Sequence, residues 1–388
     1  MNYLNILPAF TIMLFYSVAH AQKKQVPVIQ WKIAGKLPAS AGQHKPMGFA
    51  GPVAGINNDV LIVAGGANFP NGMPWQGGKK KYYNDVYVYR RRKEKLVRQS
   101  KTYELSSAIA YAASCSTPAG ILYAGGENEQ GISNKVILLQ WDAALKKIVT
   151  ENLPDLPVAL TNAAATVCKN AVYIAGGESA SGVSEKFYCL YLNNITAGWK
   201  ELPPVPVQVS HMVLVTQSNA DHAHIYLLGG RKKNANGISD LYRSVYTFDP
   251  ANNEWAQKKS LPYPLTAGTG IASGSKYIFL FGGDKGNDFH QSELLAASIK
   301  TATDDVFRQQ LVRKKDQLQS SHPGFSKEVL LYNTLTDEWT SAGELSFPAQ
   351  VTTNAVKWDD LIIIPGGEIR AGVRTPLIVS ATINLKSK

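Results

Sequence analysis

Cysteine and histidine are scarce in this 388-residue sequence, and their scarcity excludes several classes of protein. The three cysteines, Cys115, Cys168 and Cys189, lie inside apolar, strand-like segments, where a free thiol packs as a small hydrophobic group. An odd number of cysteines cannot pair fully, and their spacings match no metal motif. The seven histidines are scattered along the chain. We therefore expect no disulfide framework and no metal site.

Long hydrophobic runs are also absent beyond the N terminus, which argues against a membrane-spanning helix. The N-terminal run ILPAFTIMLFYSV is short, and small residues follow it at Ala19 and Ala21. That order is typical of a secretory signal peptide and its cleavage site. We predict a signal peptide at residues 1–21 and an exported mature chain at residues 22–388.

Acidic residues are fewer than basic ones, and the formal net charge is +11. The basic residues cluster in short segments at 79–81, 90–92, 231–233 and 313–315, in or beside predicted loops. No cluster alternates with aromatic residues and no nucleic-acid-binding motif is present, so we expect no nucleic-acid partner.

What the sequence does contain is a repeat. Six apolar strands end in a glycine pair, at Gly65–Gly66, Gly125–Gly126, Gly176–Gly177, Gly229–Gly230, Gly282–Gly283 and Gly366–Gly367. After most pairs come a second strand, a tryptophan, a turn resembling Leu-Pro, and a strand of small residues. Four short strands in each unit are typical of a propeller blade. The pattern resembles the kelch repeat, and it predicts an all-β, six-bladed kelch-type β-propeller.

The two termini together supply one complete blade. After Gly367 only one further strand remains, whereas the N-terminal segment VIQWKIAGKLP has the tryptophan and proline of the other repeats, at Trp31 and Pro38. The N-terminal strand is therefore predicted to close the last blade, which removes exposed sheet edges.

The fifth repeat is longer than the others and contains an insertion at about residues 287–325. One helix is predicted within residues 301–318. Thr301 and Asp304 form a capping-box pattern, and Phe307, Leu311 and Leu318 recur at helical spacing.

Residues just after the glycine pairs are candidates for a binding site, because strand ends that open on one face of a propeller surround a common mouth. They are Asn68, Glu127, Glu178, Arg231, Asp284 and Glu368. The last of them stands out, since Arg370 and Arg374 follow Glu368 within one loop.

Two segments resemble those of bacterial sialic-acid (N-acetylneuraminate) mutarotases, also called epimerases. GGEIRAGVRT, which includes Glu368, is similar to that family's G-E-x-[KR]-x-G-x-R-T segment. FAGPVAGINNDVLIVAGGANFPNGMPW with GGKKKYYNDVYVY is similar to a second blade of the family. Here the second segment opens the chain, so the sequence resembles a cyclically permuted branch.

The resemblance implies an isomerase of the periplasm that interconverts the α and β anomers of N-acetylneuraminate by opening and closing the sugar ring. Glu368 matches the family's proposed proton acceptor. The substrate is an acidic sugar whose carboxylate suits a guanidinium clamp. Arg374 is the first candidate for that clamp, with Arg231 and Arg370 as helpers. The resemblance implies no cofactor.

Three other readings of the sequence compete with this one. A non-catalytic kelch propeller that binds a glycan or a protein is compatible with the repeats alone. A sialidase would carry S-x-D-x-G-x-x-W boxes, which are absent. A copper-radical sugar oxidase would need two tyrosine and two histidine ligands and a cysteine for cross-linking. The sequence leaves the oligomeric state open.

Overall fold

The six strands that end in glycine pairs form the second strands of six antiparallel sheets, arranged as the blades of a β-propeller. A computed structural model describes residues 27–40 and 42–384. The predicted signal peptide lies outside those residues. The predicted fold class, a six-bladed β-propeller, is confirmed.

The strands follow the chain in blade order. The first strand is β1 (Val28–Lys36). Blade 1 contains β2 (Val53–Asn57), β3 (Val60–Ala64), β4 (Ala67–Asn68), β5 (Lys81–Tyr82), β6 (Asp85–Arg92), β7 (Lys95–Arg98) and β8 (Tyr103–Glu104). Blade 2 contains β9 (Ala113–Thr117), β10 (Gly120–Ala124), β11 (Glu127–Asn128), β12 (Gly131–Ile132), β13 (Val136–Asp142) and β14 (Lys147–Leu153). Blade 3 contains β15 (Ala164–Cys168), β16 (Ala171–Ala175), β17 (Glu178–Ser179), β18 (Gly182–Val183), β19 (Phe187–Tyr191) and β20 (Lys200–Glu201).

The second half of the chain repeats this order. Blade 4 contains β21 (Val213–Ser218), β22 (Ala223–Leu228), β23 (Arg231–Lys233), β24 (Ser239–Leu241), β25 (Val245–Asp249) and β26 (Glu254–Lys258). Blade 5 contains β27 (Thr269–Ser273), β28 (Tyr277–Phe281), α1 (Asn287–Thr301), α2 (Asp305–Ser320), β29 (Glu328–Asn333) and β30 (Glu338–Glu344). Blade 6 contains β31 (Val356–Trp358), β32 (Leu361–Pro365), β33 (Glu368–Arg370), β34 (Val373–Arg374) and β35 (Leu377–Asn384). Two short 3-10 turns lie at Pro74–Gln76 and Ile195–Ala197.

The N-terminal strand closes the ring. β1 pairs antiparallel with β35 from Val28 opposite Asn384 to Lys36 opposite Leu377, so the order in this sheet is β1-β35-β32-β31. Trp31 on β1 meets Phe281 and Phe347 edge to face, with ring centroids 5.3 and 5.5 Å apart. The last blade is therefore built from both ends of the described chain.

A closed circle of hydrogen bonds joins the blades around the propeller axis. One residue from each blade donates its N–H to the carbonyl of the equivalent residue in the preceding blade, over 2.7 to 3.1 Å. The six residues are Gly51, Tyr111, Asn162, His211, Ala267 and Thr352. All six have φ between 50° and 63°. We call them the axial ring.

The glycine pairs join neighbouring blades farther from the axis. Gly177 N–H donates to the Val209 carbonyl at 2.8 Å. A Cβ on Gly176, whose φ is +59°, would lie 2.2 Å from that carbonyl oxygen. Only glycine allows both the backbone conformation and this close approach. The repeated pair is thus a requirement of blade packing.

Three tryptophans, in or beside the outer strands of blades 3, 4 and 5, connect those blades to the preceding blade. The indole N–H groups of Trp199, Trp255 and Trp339 donate to the carbonyls of Pro154, Pro203 and Lys259 at 2.8 to 3.1 Å. Each acceptor lies in or beside the Leu-Pro-like turn of the preceding repeat. The tryptophan and the turn recur together because they form one contact between blades.

The insertion of blade 5 is a pair of helices, not the single helix that the sequence predicts. α2 overlaps the predicted helix, but the predicted capping box is wrong: Thr301 is the last residue of α1, and Asp304 is itself the N-cap of α2, where its side chain accepts a hydrogen bond from Phe307 N–H. α1 begins after Gly286, which has no side-chain cap, and its apolar residues lack a clear helical periodicity. The sequence therefore held no start signal for α1.

The cysteines and the helices of the described residues can be compared with what the composition predicts. Cys115, Cys168 and Cys189 are free thiols, and the last two are buried. None of the helices within residues 27–40 and 42–384 is long and apolar enough to cross a membrane.

Candidate active site

The residues that follow the glycine pairs converge at one mouth of the propeller. In each blade the residue directly after the glycine pair forms an isolated backbone bridge with the residue directly before the axial-ring residue, for example Glu368 with Val351. A cavity of about 350 Å³ opens there. Five of the residues predicted from the sequence line it, namely Glu127, Glu178, Arg231, Asp284 and Glu368.

Asn68 does not line this cavity, and its prediction as a site residue is wrong. The backbone bridge of blade 1 falls on Ala67, so Asn68 lies one residue beyond the common position. Successive side chains of a strand point to opposite faces. The Asn68 side chain is fully buried, donates to the Gly48 carbonyl and accepts a hydrogen bond from the Tyr83 hydroxyl.

Glu368 is held on one wall of the cavity by its own hairpin. β33 and β34 pair Glu368 with Arg374, and their side chains form an ion pair at 3.2 Å. The second carboxylate oxygen accepts the Gly372 N–H at 2.8 Å. The Glu368 side chain is 17% exposed. The carboxylate is therefore fixed in one orientation at the cavity surface.

The two arginines of this loop lie outside the lining of this cavity, so their predicted role in substrate binding stays a prediction. Arg370 is exposed. The Arg374 side chain is only 5% exposed and lies over the Phe69 ring, 4.6 Å from its centroid. Within the described part of the chain its Nε and Nη1 have no hydrogen-bond partner. Arg374 supports Glu368, and the sequence could not separate that role from a clamp.

Arg231 is the arginine that faces the cavity. It stacks over Phe289 of α1 at 4.7 Å, and its Nη2 lies 3.8 Å from Glu178 Oε1. Burial lowers the pKa of Arg231, and the carboxylates of Glu178, Glu293 and Asp284 oppose that change. Its Nε has no partner among the described residues. The guanidinium thus has unused hydrogen-bonding capacity.

His211 of the axial ring also lines the cavity, although it was not among the residues predicted from the sequence. Its Nδ1 is 3.0 Å from the Ser210 hydroxyl, which also donates to Glu178 at 2.8 Å. Burial, together with the positive charges of Arg231 and Lys80, holds the pKa of His211 well below its usual value. The imidazole is therefore neutral at ordinary pH.

Asp284 is the second carboxyl group of interest. Burial raises its pKa above the ordinary 3.8, although the Gly286 N–H donates to it at 2.7 Å. Asp284 and Glu368 also both line an adjoining pocket of about 120 Å³, next to His322 and the two helices. One wall of the mouth therefore combines an ion-paired carboxylate with a carboxyl group whose pKa is raised by burial.

Lys80 and Tyr111 complete the opposite wall. Lys80 Nζ forms an ion pair with Glu127 at 3.0 Å and lies 4.7 Å from the Tyr111 ring centroid. The Tyr82 hydroxyl donates to the same Glu127 oxygen at 2.6 Å. Lys80 lies in a long loop between β4 and β5. Tyr111 and His211 could have been found by aligning the repeats on their axial-ring position.

These features define a class: a six-bladed kelch-type propeller whose mouth combines carboxylates, a neutral imidazole and a guanidinium. Comparison with known proteins identifies the family. The chain matches the N-acetylneuraminate epimerase family over residues 17–148 and 153–388, and it belongs to that family.

The individual relatives are distant. The chain is 26% identical to the N-acetylneuraminate epimerase of Haemophilus influenzae (strain 86-028NP) over 229 residues, which is 58% of each protein. It is 25% identical to that of Salmonella typhimurium (strain LT2) over 231 residues, covering 59% of this chain and 58% of the relative. The chain thus spans well under two thirds of the relatives' length.

A solved structure, titled "Structure of YjhT", is similar in fold. It aligns over 91% of this chain and all of its own with a TM-score of 0.61, at 14% sequence identity. At that identity the likeness concerns the propeller fold alone.

Proposed function

We propose that this protein is an exported sialic-acid mutarotase that interconverts the α and β anomers of N-acetylneuraminate. The observation that carries the proposal is the placement of Glu368, fixed by Arg374 and Gly372, in one cavity with Arg231 and Asp284. The names of the relatives support the choice of substrate. A cavity of about 350 Å³ is within the usual range for small-molecule sites.

The proposed reaction needs one proton acceptor and one proton donor. Glu368 removes the proton of the anomeric hydroxyl, the bond from the anomeric carbon to the ring oxygen breaks, and Asp284 protonates the ring oxygen. The open keto acid rotates about its carbon chain. Closure on the opposite face of the carbonyl returns one proton to Asp284 and takes one from Glu368, so both groups are restored.

Arg231 is proposed as the clamp for the sugar carboxylate. It is the arginine in the cavity lining, and a guanidinium can bind a carboxylate through two parallel hydrogen bonds. Arg374 is proposed to position Glu368. In this assignment Arg231 of blade 4 binds the substrate, whereas Arg374 orients Glu368.

Residues 1–21 are proposed to direct export, with the mature protein working in the periplasm. The support is the composition of that segment. Mass spectrometry of the protein recovered from a periplasmic fraction tests the idea. An N terminus at Gln22 is expected, and an uncleaved cytoplasmic protein would contradict it.

The test of the reaction is the rate of anomer interconversion, followed by proton NMR just after a sialidase releases the α anomer. We expect acceleration over the uncatalysed rate for N-acetylneuraminate and for other keto-sugar acids, because both the anomeric hydroxyl and the carboxylate are needed. Neutral aldoses should show no acceleration. Saturable binding of sialic acid without acceleration would favour a non-catalytic glycan-binding propeller.

A further inference from the structure

His222, His224 and Asp249 form a group that the proposed reaction does not use. Their ligand atoms, one from each side chain, all lie within 4.8 Å of one another. Among the described residues this is the one such group of three or more histidine, cysteine, aspartate and glutamate side chains. The group was not predictable from spacing, because the carboxylate is 25 residues beyond the His-Ala-His segment.

The group lies on the face of the propeller opposite the mouth. β22 runs from Ala223 to Leu228, and the glycine pair that leads into the mouth begins directly after it at Gly229. His222 and His224 are therefore at the far end of this strand. Asp249 ends β25, which pairs antiparallel with β22. The group is thus separate from the cavity that contains Glu368.

The orientation of His224 leaves one ring nitrogen available as a ligand. Its Nδ1 lies 3.2 Å from the His222 carbonyl and donates to it, so the lone pair of the neutral imidazole is on Nε2. That Nε2 lies 3.9 Å from Asp249 Oδ2. A histidine that binds a metal characteristically donates its other N–H to a carbonyl or carboxylate in this way.

The carboxylate is held in place by its own turn. Asp249 Oδ1 accepts the Ala251 N–H at 2.8 Å, and Oδ2 accepts from the Asn252 side-chain amide at 2.8 Å. His222 Nε2 is 2.8 Å from Oδ1, and the two imidazole rings stack with centroids 4.5 Å apart. All three side chains are therefore oriented before any ion is present.

The separations suit a small divalent ion. Zinc binds imidazole nitrogen and carboxylate oxygen at about 2.0–2.2 Å, which places tetrahedral ligand atoms about 3.4 Å apart. His224 Nε2 and Asp249 Oδ2 are 3.9 Å apart, close to that value, whereas the 2.8 Å between His222 Nε2 and Asp249 Oδ1 is a hydrogen bond whose proton a bound ion would replace. Two imidazoles with one carboxylate favour zinc-class transition metals over Mg²⁺ or Ca²⁺, which prefer oxygen ligands. The His222 side chain is 34% exposed, which leaves room for water as a further ligand.

We propose that His222, His224 and Asp249 bind a divalent transition-metal ion of the zinc class on the face opposite the mouth. The bound ion would link the turn before β22 to the turn after β25. Its expected effect is on the stability of blade 4, because no residue of the group lines the cavity of the proposed reaction.

The test is isothermal titration of tag-free, chelator-treated protein with zinc chloride. The full exported chain should bind one zinc ion, and His224→Gln should weaken binding by at least about tenfold, since even loss of an outer-shell partner typically costs 10- to 100-fold. His44→Gln is the matched control, because His44 is exposed and outside the group. Glu368→Gln should bind zinc as the wild type does.

Thermal unfolding gives the second readout. Zinc should raise the Tm of the wild type and of His44→Gln, and should leave the Tm of His224→Gln unchanged. Asp249→Asn retains one oxygen to accept the Ala251 N–H and repeats the test if His224→Gln folds poorly. Absence of zinc binding by the wild type would overturn the proposal. Equal binding by wild type and His224→Gln would overturn it too, leaving a hydrogen-bonded turn as the role of these residues.

Discussion

Arg231 and Arg374 have the same side chain, yet their surroundings give them different roles. Arg374 is nearly buried beneath Phe69 and is ion-paired to Glu368, whereas Arg231 lies in the cavity wall beside Phe289. Proximity to Glu368 in the sequence favoured Arg374 as the clamp. In the folded chain Arg231, which precedes Glu368 by 137 positions, is the better placed of the two for binding an anion.

Lysine substitutions distinguish the two roles while keeping the charge. Arg231→Lys should raise KM about 10- to 100-fold with a smaller effect on kcat, because a charge-assisted hydrogen bond is worth about 1.5–3 kcal/mol. Arg374→Lys should lower kcat more than it raises KM, because Glu368 loses its orientation. Steady-state kinetics by NMR checks both, and a KM effect confined to Arg374→Lys would restore Arg374 as the clamp.

His211 makes stability depend on pH. Its pKa in the folded protein is well below the usual 6.5 because of burial and the nearby cations. The unfolded chain therefore takes up a proton that the folded chain refuses, and the free energy of unfolding falls as pH drops below about 6.5. The contribution of one such group is at most about 1.4 kcal/mol for each pH unit.

His211→Asn removes the pH-dependent contribution of this histidine to stability. The axial ring should be kept, since Asn162 already occupies the equivalent position in blade 3. Urea unfolding at about pH 7.5 and about pH 5.5 should show a smaller loss of stability in the variant than in the wild type. Equal losses in the two proteins would contradict a neutral, buried His211.

At the scale of elements, the glycine pairs determine how blades meet. A methyl group on Gly176 would collide with the Val209 carbonyl, whereas one on Gly237, also at positive φ, meets nothing within 4 Å. Gly176→Ala should therefore lower the free energy of unfolding by about 1–3 kcal/mol more than Gly237→Ala. Urea unfolding measures the difference, and equal effects would mean that backbone strain alone explains the glycine.

Elements with a repeated signature were predictable from the sequence, and those without one were not. The glycine pairs identified six blades because each pair serves a contact between neighbouring blades, and Trp199, Trp255 and Trp339 added a second such contact. α1 was missed because Gly286 gives no cap and the helix has no clear apolar stripe. Asn68 was misplaced because it is the first polar residue after its glycine pair, whereas the position equivalent to the other five is Ala67, which makes the backbone bridge.

Site residues, too, were predictable where they share a position in the repeat and not predictable elsewhere. Five mouth residues were found because they share a position in the repeat. Lys80 and Phe289 come from a loop and an inserted helix, whose distance from the mouth depends on tertiary packing. Tyr111 and His211 belong to the axial ring, a repeated position whose side chains vary from blade to blade. A single sequence marks such a position only after the repeats are aligned.

At the scale of the whole molecule, β1 joins the two ends of the described chain. Deletion of residues 22–38 removes β1, leaves β35 as an unpaired edge and exposes the faces of Phe281 and Phe347 that Trp31 covers. The truncated protein should lose its cooperative thermal transition, as followed by circular dichroism. Ile33→Ala, which trims a side chain that is 59% exposed on the same strand, is the control.

A truncated protein that melted like the full chain would show that the ring is held without β1. Closure by β1 also explains how the order of the blades along the chain could differ between proteins of the same fold. In a ring closed by one strand pair, moving the termini from one blade to another changes few contacts. The cyclic permutation suggested by the segment order stays a prediction.

The central claim is that Glu368 transfers the proton in sialic-acid mutarotation. Glu368→Gln keeps the size of the side chain and an oxygen that can accept the Gly372 N–H, but it cannot take up a proton. Glu151→Gln, on the exposed outer strand of blade 2, is the matched control. The measurement is the NMR rate of α-to-β interconversion of N-acetylneuraminate just after sialidase release. The account predicts that Glu368→Gln slows the enzymatic rate by at least about 100-fold while Glu151→Gln retains the wild-type rate. A wild-type rate in Glu368→Gln would contradict it.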